Sequence, residues 1–182
     1  MRPLLPTLML ALTLAPAHGR ADPAKVDCAK AMLRFAQPGS YACYDLGQAS
    51  GTGNFALTQS AALVGNTAEN VKLSLFATRI SSGDAWFRPW VVGTSAEPKI
   101  RDFNNVTRAA TGWGKMHEFD GSTYVISFES GQRHCTGFVH GENSTLGGYE
   151  FVAYGYFCAA EEKPALTDSD TKALLGGMTL TR

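Results

Sequence analysis

The sequence predicts an α+β domain of mostly antiparallel β structure, a curved sheet or barrel of about 7–8 strands with an N-terminal and a C-terminal helix and two disulfides. Three observations predict it. Between residues 41 and 158, short runs rich in Val, Ile, Phe, Tyr and Thr alternate with Gly, Asn, Ser and Asp clusters. Helix-start signals stand on both sides of this region. An even set of four cysteines follows an apolar leader.

The N-terminal segment has the three parts of a secretory signal peptide. Arg2 supplies the positive start, residues 4–17 are apolar, and Gly19 and Ala21 are small residues suited to a cleavage point. We therefore expect residues 1–21 to be a signal peptide. Cleavage after residue 17 is an alternative.

The remaining residues, 22–182, are expected to form a single secreted α+β domain. Because Arg2 and Arg20 leave with the leader and no acidic residue does, 14 basic residues stand against 16 acidic ones, a net charge of −2. Such a chain lacks the excess of positive charge that drives binding to nucleic acids or to anionic membranes. No later apolar run is long enough to be a transmembrane anchor. The expected location is periplasmic or secreted.

The first predicted element is a helix over residues 24–35. Asp22 has the side chain of an N-cap, and Pro23 suits the first helical position, where its missing N–H costs nothing. The sequence Gln37-Pro38-Gly39 then predicts the end of the helix.

The middle of the chain predicts strands in which one face is apolar. Val71, Leu73 and Leu75 alternate with polar residues, the pattern of a half-buried strand. Asp120-Gly121 and Ser130-Gly131 predict tight turns, so three consecutive strands form a meander and the last strand is its fourth member. The predicted strands cover residues 41–46, 54–59, 70–79, 85–92, 113–119, 123–129, 132–140 and 149–158.

The last predicted element is a helix that begins after Thr167. Thr167 and Asp170 have the spacing of a capping box, in which each side chain bonds the backbone of the other. Gly176-Gly177 predicts the end of this helix near Met178.

The four cysteines are expected to form two structural disulfides. Cys135 and Cys158 lie on neighbouring predicted strands. If residues 143–148 connect these strands, the numbers of two residues that face each other add up to about 293, so the two sulfur atoms can meet. Cys28 would then join Cys43, tying the first helix to the first strand. Four cysteines allow three connectivities, and this one is favoured. No Cys-x-x-Cys motif is present, which disfavours a redox-active pair.

No catalytic signature is found, and we expect no catalytic residue, no cofactor and no metal. The chain lacks a Gly-x-Ser-x-Gly elbow and a phosphate-binding loop. His134 and His140 share a strand face but lie about 20 Å apart in extended chain, too far for one metal ion. His117, Glu118 and His134 are the residues to test for a hydrolase that uses carboxylates or histidine.

The most suggestive cluster for ligand binding is Trp86-Phe87-Arg88-Pro89-Trp90. Trp86, Arg88 and Trp90 share one parity of a strand that Pro89 would place at an edge or a bulge. Such a face can stack on a sugar or a peptide, with Arg88 adding cation–π contacts. The alternative is structural, with the tryptophans closing one end of the β core.

The closing segment carries a resemblance to a known group of proteins. Cys135-Thr136-Gly137-Phe138, then Tyr154-Gly155-Tyr156-Phe157-Cys158-Ala159 and a Leu/Ala-rich end resemble small secreted proteins of unassigned role in alphaproteobacteria, over about residues 132–178. The resemblance implies a periplasmic or secreted location and a Cys135–Cys158 bridge. It implies no activity.

These observations favour a small extracytoplasmic, disulfide-bonded binding or interaction protein whose ligand is a protein, a peptide or a glycan. One alternative is the small secreted hydrolase. Another is a secreted inhibitor of another enzyme, for which the irregular segment 94–112 would be the contact loop.

Overall fold

The computed structural model describes residues 23–50, 57–80, 110–145 and 148–181. In chain order the elements are β1 (Ala24–Val26), β2 (Leu33–Phe35), β3 (Gly39–Ser50), β4 (Leu57–Thr67), β5 (Lys72–Ile80), β6 (Ala110–Thr111), β7 (His117–Glu118), β8 (Thr123–Ser130), β9 (Arg133–Thr145), β10 (Gly148–Cys158), α1 (Asp168–Gly177) and β11 (Met178–Leu180).

Nine strands form one antiparallel sheet, in the order β1-β3-β4-β5-β10-β9-β8-β6, with β7 also paired to β8. Strands β2 and β11 form a separate two-stranded sheet. The prediction of a mostly antiparallel domain with two disulfides is thus confirmed. Over the described ranges the nine-stranded sheet is open, because β1 pairs only with β3 while β6 and β7 pair only with β8, so the barrel alternative is wrong.

The predicted N-terminal helix is wrong, because residues 24–35 contain two short strands and a turn. Val26 on β1 lies opposite Cys43 on β3, and Phe35 on β2 lies opposite Met178 on β11. Between the strands, the Asp27 carboxylate accepts a hydrogen bond from the Ala29 N–H at 3.0 Å and closes a turn. Pairing with strands distant in sequence therefore overrides the local helix signals.

The C-terminal helix is confirmed, with its capping box. The Thr167 hydroxyl accepts a hydrogen bond from the Asp170 N–H at 3.2 Å, and the Asp170 carboxylate accepts one from the Thr167 N–H at 2.9 Å. After Gly177 the chain continues into β11, a strand that the sequence did not predict.

The meander is confirmed in β8, β9 and β10. Residues paired between β9 and β10 add up to 293 throughout, which places Cys135 directly opposite Cys158. Gly121 and Gly131, with φ of +75° and +60°, lie in the turns on either side of β8. Of the predicted strand 113–119, only β7 is a strand.

Two other predicted strands differ from the structure in different ways. Residues 57–59 of the segment predicted at 54–59 belong to β4, which continues to Thr67 and pairs with β3, whereas residues 54–56 lie outside the described residues. The strand predicted at 85–92 lies outside the described residues.

The hydrophobic core lies on both faces of the main sheet. On one face, which we call the covered face, Leu33 of β2, Leu174 of α1 and Leu180 of β11 pack over Leu63 and Phe138. Phe138 is fully buried and stacks on Phe157 with ring centroids 5.1 Å apart. On the opposite face a second cluster contains Ile126, Phe128, Val139, Tyr156 and the Cys135–Cys158 bridge, and Trp113 stacks on Phe128 at 4.7 Å.

Candidate functional site

The residues predicted to bind a ligand, Trp86, Arg88 and Trp90, lie outside the described residues. The same holds for the segment 94–112, except that residues 110–112 are described and include β6.

His117, Glu118 and His134 are not brought together. His117 on β7 lies opposite Val125 on β8, and Val125 lies opposite Phe138 on β9. His134 is four residues from Phe138 along β9, a distance of about 13 Å. Both histidines are exposed, and His134 has its Nδ1 atom 3.8 Å from a carboxylate oxygen of Glu129. Among the described residues, no group of three or more His, Cys, Asp or Glu side chains is arranged to hold a metal ion.

A polar cleft with a volume of about 590 Å³ lies at the β1 edge of the sheet. The segment between β1 and β2 forms one wall and residues of β3 and β4 form the other. Its floor includes the small, buried residues Ala31 and Ala61. Around the floor lie six charged or amide side chains: Asp27, Lys30, Arg34, Asp45, Gln48 and Gln59.

Local irregularities in the backbone shape this cleft. The pairing of β3 with β4 shifts register between Asp45 and Gly47, and the Asp45 carboxylate accepts a hydrogen bond from the Gly47 N–H at 2.7 Å. Gly47 has a φ of +83°, a conformation that L side chains rarely adopt. The bulge and the turn after Asp27 therefore separate the two walls of the cleft.

An apolar hollow of about 410 Å³ adjoins the cleft. Cys28, Phe35, Tyr41 and Leu63 line it, and Arg34 lines both the hollow and the cleft. Phe35 and Tyr41 pack edge to face at 5.6 Å, and the Tyr41 hydroxyl donates to the Gln37 carbonyl at 3.0 Å. Burial, with a smaller effect from the Glu69 charge, raises the pKa of Tyr41, so this phenol stays neutral.

Two cations of the polar cleft, Lys30 and Arg34, have no carboxylate partner among the described residues. The Arg34 Nε donates a hydrogen bond to the Ala31 carbonyl at 3.1 Å, which fixes the position of the guanidinium. Among the described residues, neither Arg34 nor Lys30 forms a salt bridge, and both are exposed. Their charges are therefore available to an anionic group.

A second polar cluster lies where β8 begins, on the covered face of the sheet. The fully buried Thr123 hydroxyl lies 2.8 Å from the Nδ1 atom of His140, which is opposite Thr123 in the β8–β9 pairing. The Asp120 carboxylate accepts hydrogen bonds from the N–H of Ser122 at 3.3 Å and from its hydroxyl at 3.2 Å. The bond between Thr123 and His140 joins β8 to β9 beside this carboxylate.

The surroundings of His140 favour its neutral form. Burial lowers its pKa, against the opposing effect of the Asp120 charge. Hydrogen bonds from Thr123 and Ser122 outweigh partial burial and lower the pKa of Asp120. Two residues farther along β9, burial raises the pKa of Glu142.

Sequence reasoning missed both the cleft and the His140 cluster. The predicted helix over residues 24–35 hid the fact that Asp27, Lys30 and Arg34 face β3 and β4. Asp45-Leu46-Gly47 is the one local signal, because an Asp two residues before a Gly is typical of a turn or bulge.

Two further findings concern the described chain as a whole and its similarity to known proteins. No helix within the described part of the chain is long and apolar enough to cross a membrane. Comparisons with protein-family models, with curated proteins and with solved structures find no match for this chain.

Proposed function

We propose that this chain is an extracytoplasmic, disulfide-bonded binding or interaction protein, and that its ligand occupies the polar cleft at the β1 edge. The observation that carries the proposal is the cleft itself, in which Lys30 and Arg34 form no salt bridge with any described residue and lie beside a small apolar floor. Its volume of about 590 Å³ lies within the range of small-ligand sites.

The extracytoplasmic location has three supports. The leader at residues 1–21 has the form of a signal peptide. Two disulfides, Cys28–Cys43 and Cys135–Cys158, are typical of proteins that fold in an oxidising compartment. The resemblance of residues 132–178 to small secreted alphaproteobacterial proteins points to the same location.

The shape and chemistry of the cleft favour a peptide or a glycan over the flat surface of a folded protein. Protein–protein contacts bury extended, low-relief areas, whereas small-ligand sites are concave. Gln48 and Gln59 offer both donors and acceptors, which suit amide groups or sugar hydroxyls.

The test is a binding screen with a variant that fills the cleft. Gln59→Trp places a large ring in the cleft wall, and Gln132→Trp adds the same ring at the exposed turn between β8 and β9. Pooled synthetic pentapeptides and soluble envelope oligosaccharides are screened by saturation-transfer NMR against the secreted protein. We expect probes that bind the wild type and Gln132→Trp but not Gln59→Trp. Equal binding to all three folded proteins, or no binding by any probe, would overturn the proposal.

The tryptophan face of Trp86, Arg88 and Trp90 is a second surface proposed for the same function. It is tested in the same screen with the double substitution Trp86→Ala/Trp90→Ala. Loss of binding in a variant with wild-type circular dichroism would support it, and unchanged binding would remove this face.

The second candidate function, a small secreted hydrolase, is favoured by the Asp120–Thr123–His140 arrangement. An imidazole that burial keeps in its neutral form, and whose Nδ1 is held by the Thr123 hydroxyl, is suited to removing a proton from water. A panel of ester, amide and glycoside substrates is assayed with His140→Gln and with His117→Gln as the control. Activity lost only in His140→Gln would support a hydrolase; no activity in the wild type, or equal activity in all three proteins, would exclude this base.

A further inference from the structure

We propose that the ligand presents a carboxylate beside an apolar side chain, as the free C-terminal end of a peptide with an apolar last residue does. This inference rests on the proposed function, since it names the chemical class that the cleft would take. It follows from the way in which the polar cleft and the apolar hollow meet at Arg34.

The first step is the anchor for the carboxylate. The Nε of Arg34 is already used in the 3.1 Å bond to the Ala31 carbonyl, so the guanidinium is held in place before the ligand binds. Its two Nη groups can bind the two oxygens of one carboxylate, the geometry in which Arg binds carboxylates best. Lys30 lines the same cleft and adds a second positive charge.

The second step is the binding of the apolar side chain in the hollow. Arg34 also lines the apolar hollow, together with Phe35, Tyr41 and Leu63, and the volume of the hollow, about 410 Å³, exceeds that of any single side chain. In a peptide, the last side chain and the terminal carboxylate are attached to the same carbon atom. One residue can therefore place its carboxylate on Arg34 and its side chain in the hollow.

The third step is the recognition of amide groups. Gln48 and Gln59 can pair with the N–H and C=O of a peptide bond in the polar cleft, which a plain fatty acid lacks. Asp27 and Asp45 also lie on this cleft and would repel further negative charge. A single carboxylate next to amide groups thus fits better than a polyanion.

The experiment is an isothermal titration of the folded, secreted protein with four probes. They are an N-acetylated pentapeptide ending in Phe with a free carboxylate, its C-terminal amide, the same peptide ending in Glu, and decanoate. We expect the free-acid Phe peptide to bind, and amidation to weaken it by about tenfold or more, the loss expected for one charge-assisted hydrogen bond. The Glu peptide and decanoate are expected to bind less tightly than the free-acid Phe peptide.

Two variants test the two parts of the proposed site, one for the carboxylate anchor and one for the apolar hollow. Arg34→Gln removes the anchor, and Ala36→Trp adds a large ring at an exposed residue that lines the hollow. Lys72→Gln and Gln132→Trp are controls, because neither residue lines the cleft or the hollow. We expect the first two to lose about tenfold in affinity for the Phe peptide and the controls to match the wild type, all with unchanged thermal melting.

Three results would overturn the inference. One is equal binding of the amidated peptide, and another is binding of decanoate as tight as that of the Phe peptide, which would make the ligand a lipid acid. The third is failure of the Phe peptide to bind while other probes bind in a manner sensitive to Gln59→Trp; the proposed function then stands and only this ligand class is wrong. If no probe of any class binds, both proposals fail.

Discussion

The main sheet carries two disulfides, one between the central strands β9 and β10 and one near the β1 edge, and they belong to different kinds of structure. In the meander, Cys135 and Cys158 lie opposite each other in an unbroken ladder, with Cα atoms 4.0 Å apart. At the β1 edge, Cys28 belongs to a turn and is joined to Cys43 of β3 across 5.2 Å. The regular ladder buries its side chains, whereas the irregular edge leaves a cleft with charged walls. A rigid sheet thus supports an irregular segment that is free to carry function.

The largest effect is expected from removing packing in the meander. Phe138→Ala deletes a fully buried ring that stacks on Phe157, and should lower the free energy of unfolding by about 3–5 kcal/mol. Gln59→Ala at the cleft should change it by less than about 0.5 kcal/mol. Urea unfolding of both variants measures this difference. Similar losses in the two would contradict the division between a packed meander and an open edge.

The next effect is expected from the disulfides. Replacing either pair of cysteines by Ala should cost about 3 kcal/mol, because each bridge closes a loop of similar length, 15 and 23 residues. Binding should separate them: the Cys28→Ala/Cys43→Ala variant should lose affinity for the cleft probes, and the Cys135→Ala/Cys158→Ala variant should keep it. Denaturant unfolding and titration give the two readouts. Equal affinity in both folded variants would remove the Cys28–Cys43 bridge from the site.

A smaller effect is expected from the hydroxyl between Asp120 and His140. Thr123→Val keeps the shape of the buried side chain but removes the hydrogen bond between that hydroxyl and His140, and should cost about 1–3 kcal/mol. Thr123→Ser, which restores the hydroxyl, should recover most of the loss. If Val proves as stable as Thr, the hydroxyl has no net stabilising role.

The smallest effect is a pH dependence that comes from His140. Because burial lowers its folded pKa, the unfolded chain binds the proton more readily. Stability should therefore be complete above the unfolded pKa of about 6.5 and should fall as the pH drops from there toward the folded pKa. His140→Gln should remove this part of the slope in urea unfolding at several pH values.

Two neighbouring carboxylates also titrate, so the difference between wild type and variant is the quantity to compare. The lowered pKa of Asp120 acts at lower pH, and the raised pKa of Glu142 gives a slope of opposite sign above about pH 4.3. Asp120 and Glu142 are present in both the wild type and His140→Gln. A wild-type slope identical to that of His140→Gln would contradict the buried, neutral imidazole.

The same two regions differ in what the sequence could predict. The meander and α1 follow local rules, since Asp120-Gly121 marks a turn and Thr167 with Asp170 forms a capping box. The β1 edge does not, because residues 24–35 satisfy helix rules locally while their partners lie in β3 and in β11. Contacts between residues as distant as Phe35 and Met178 leave no local signal.

The candidate site was out of reach of the sequence for the same reason. The walls of the cleft come from the β1–β2 segment, β3 and β4, with Thr181 from the end of the chain. No fixed spacing connects Lys30 and Arg34 with Gln59. The His140 cluster was equally hidden, because only the β8–β9 register reveals that Thr123 lies opposite His140.

Amide hydrogen–deuterium exchange with and without the tightest-binding probe of the screen tests the central claim most directly. Slower exchange is predicted in residues 26–34, 44–48 and 59–61, with no change in residues 123–140. Protection confined to residues 117–140, with the β1 edge unaffected, would show that the cleft is not where the ligand binds.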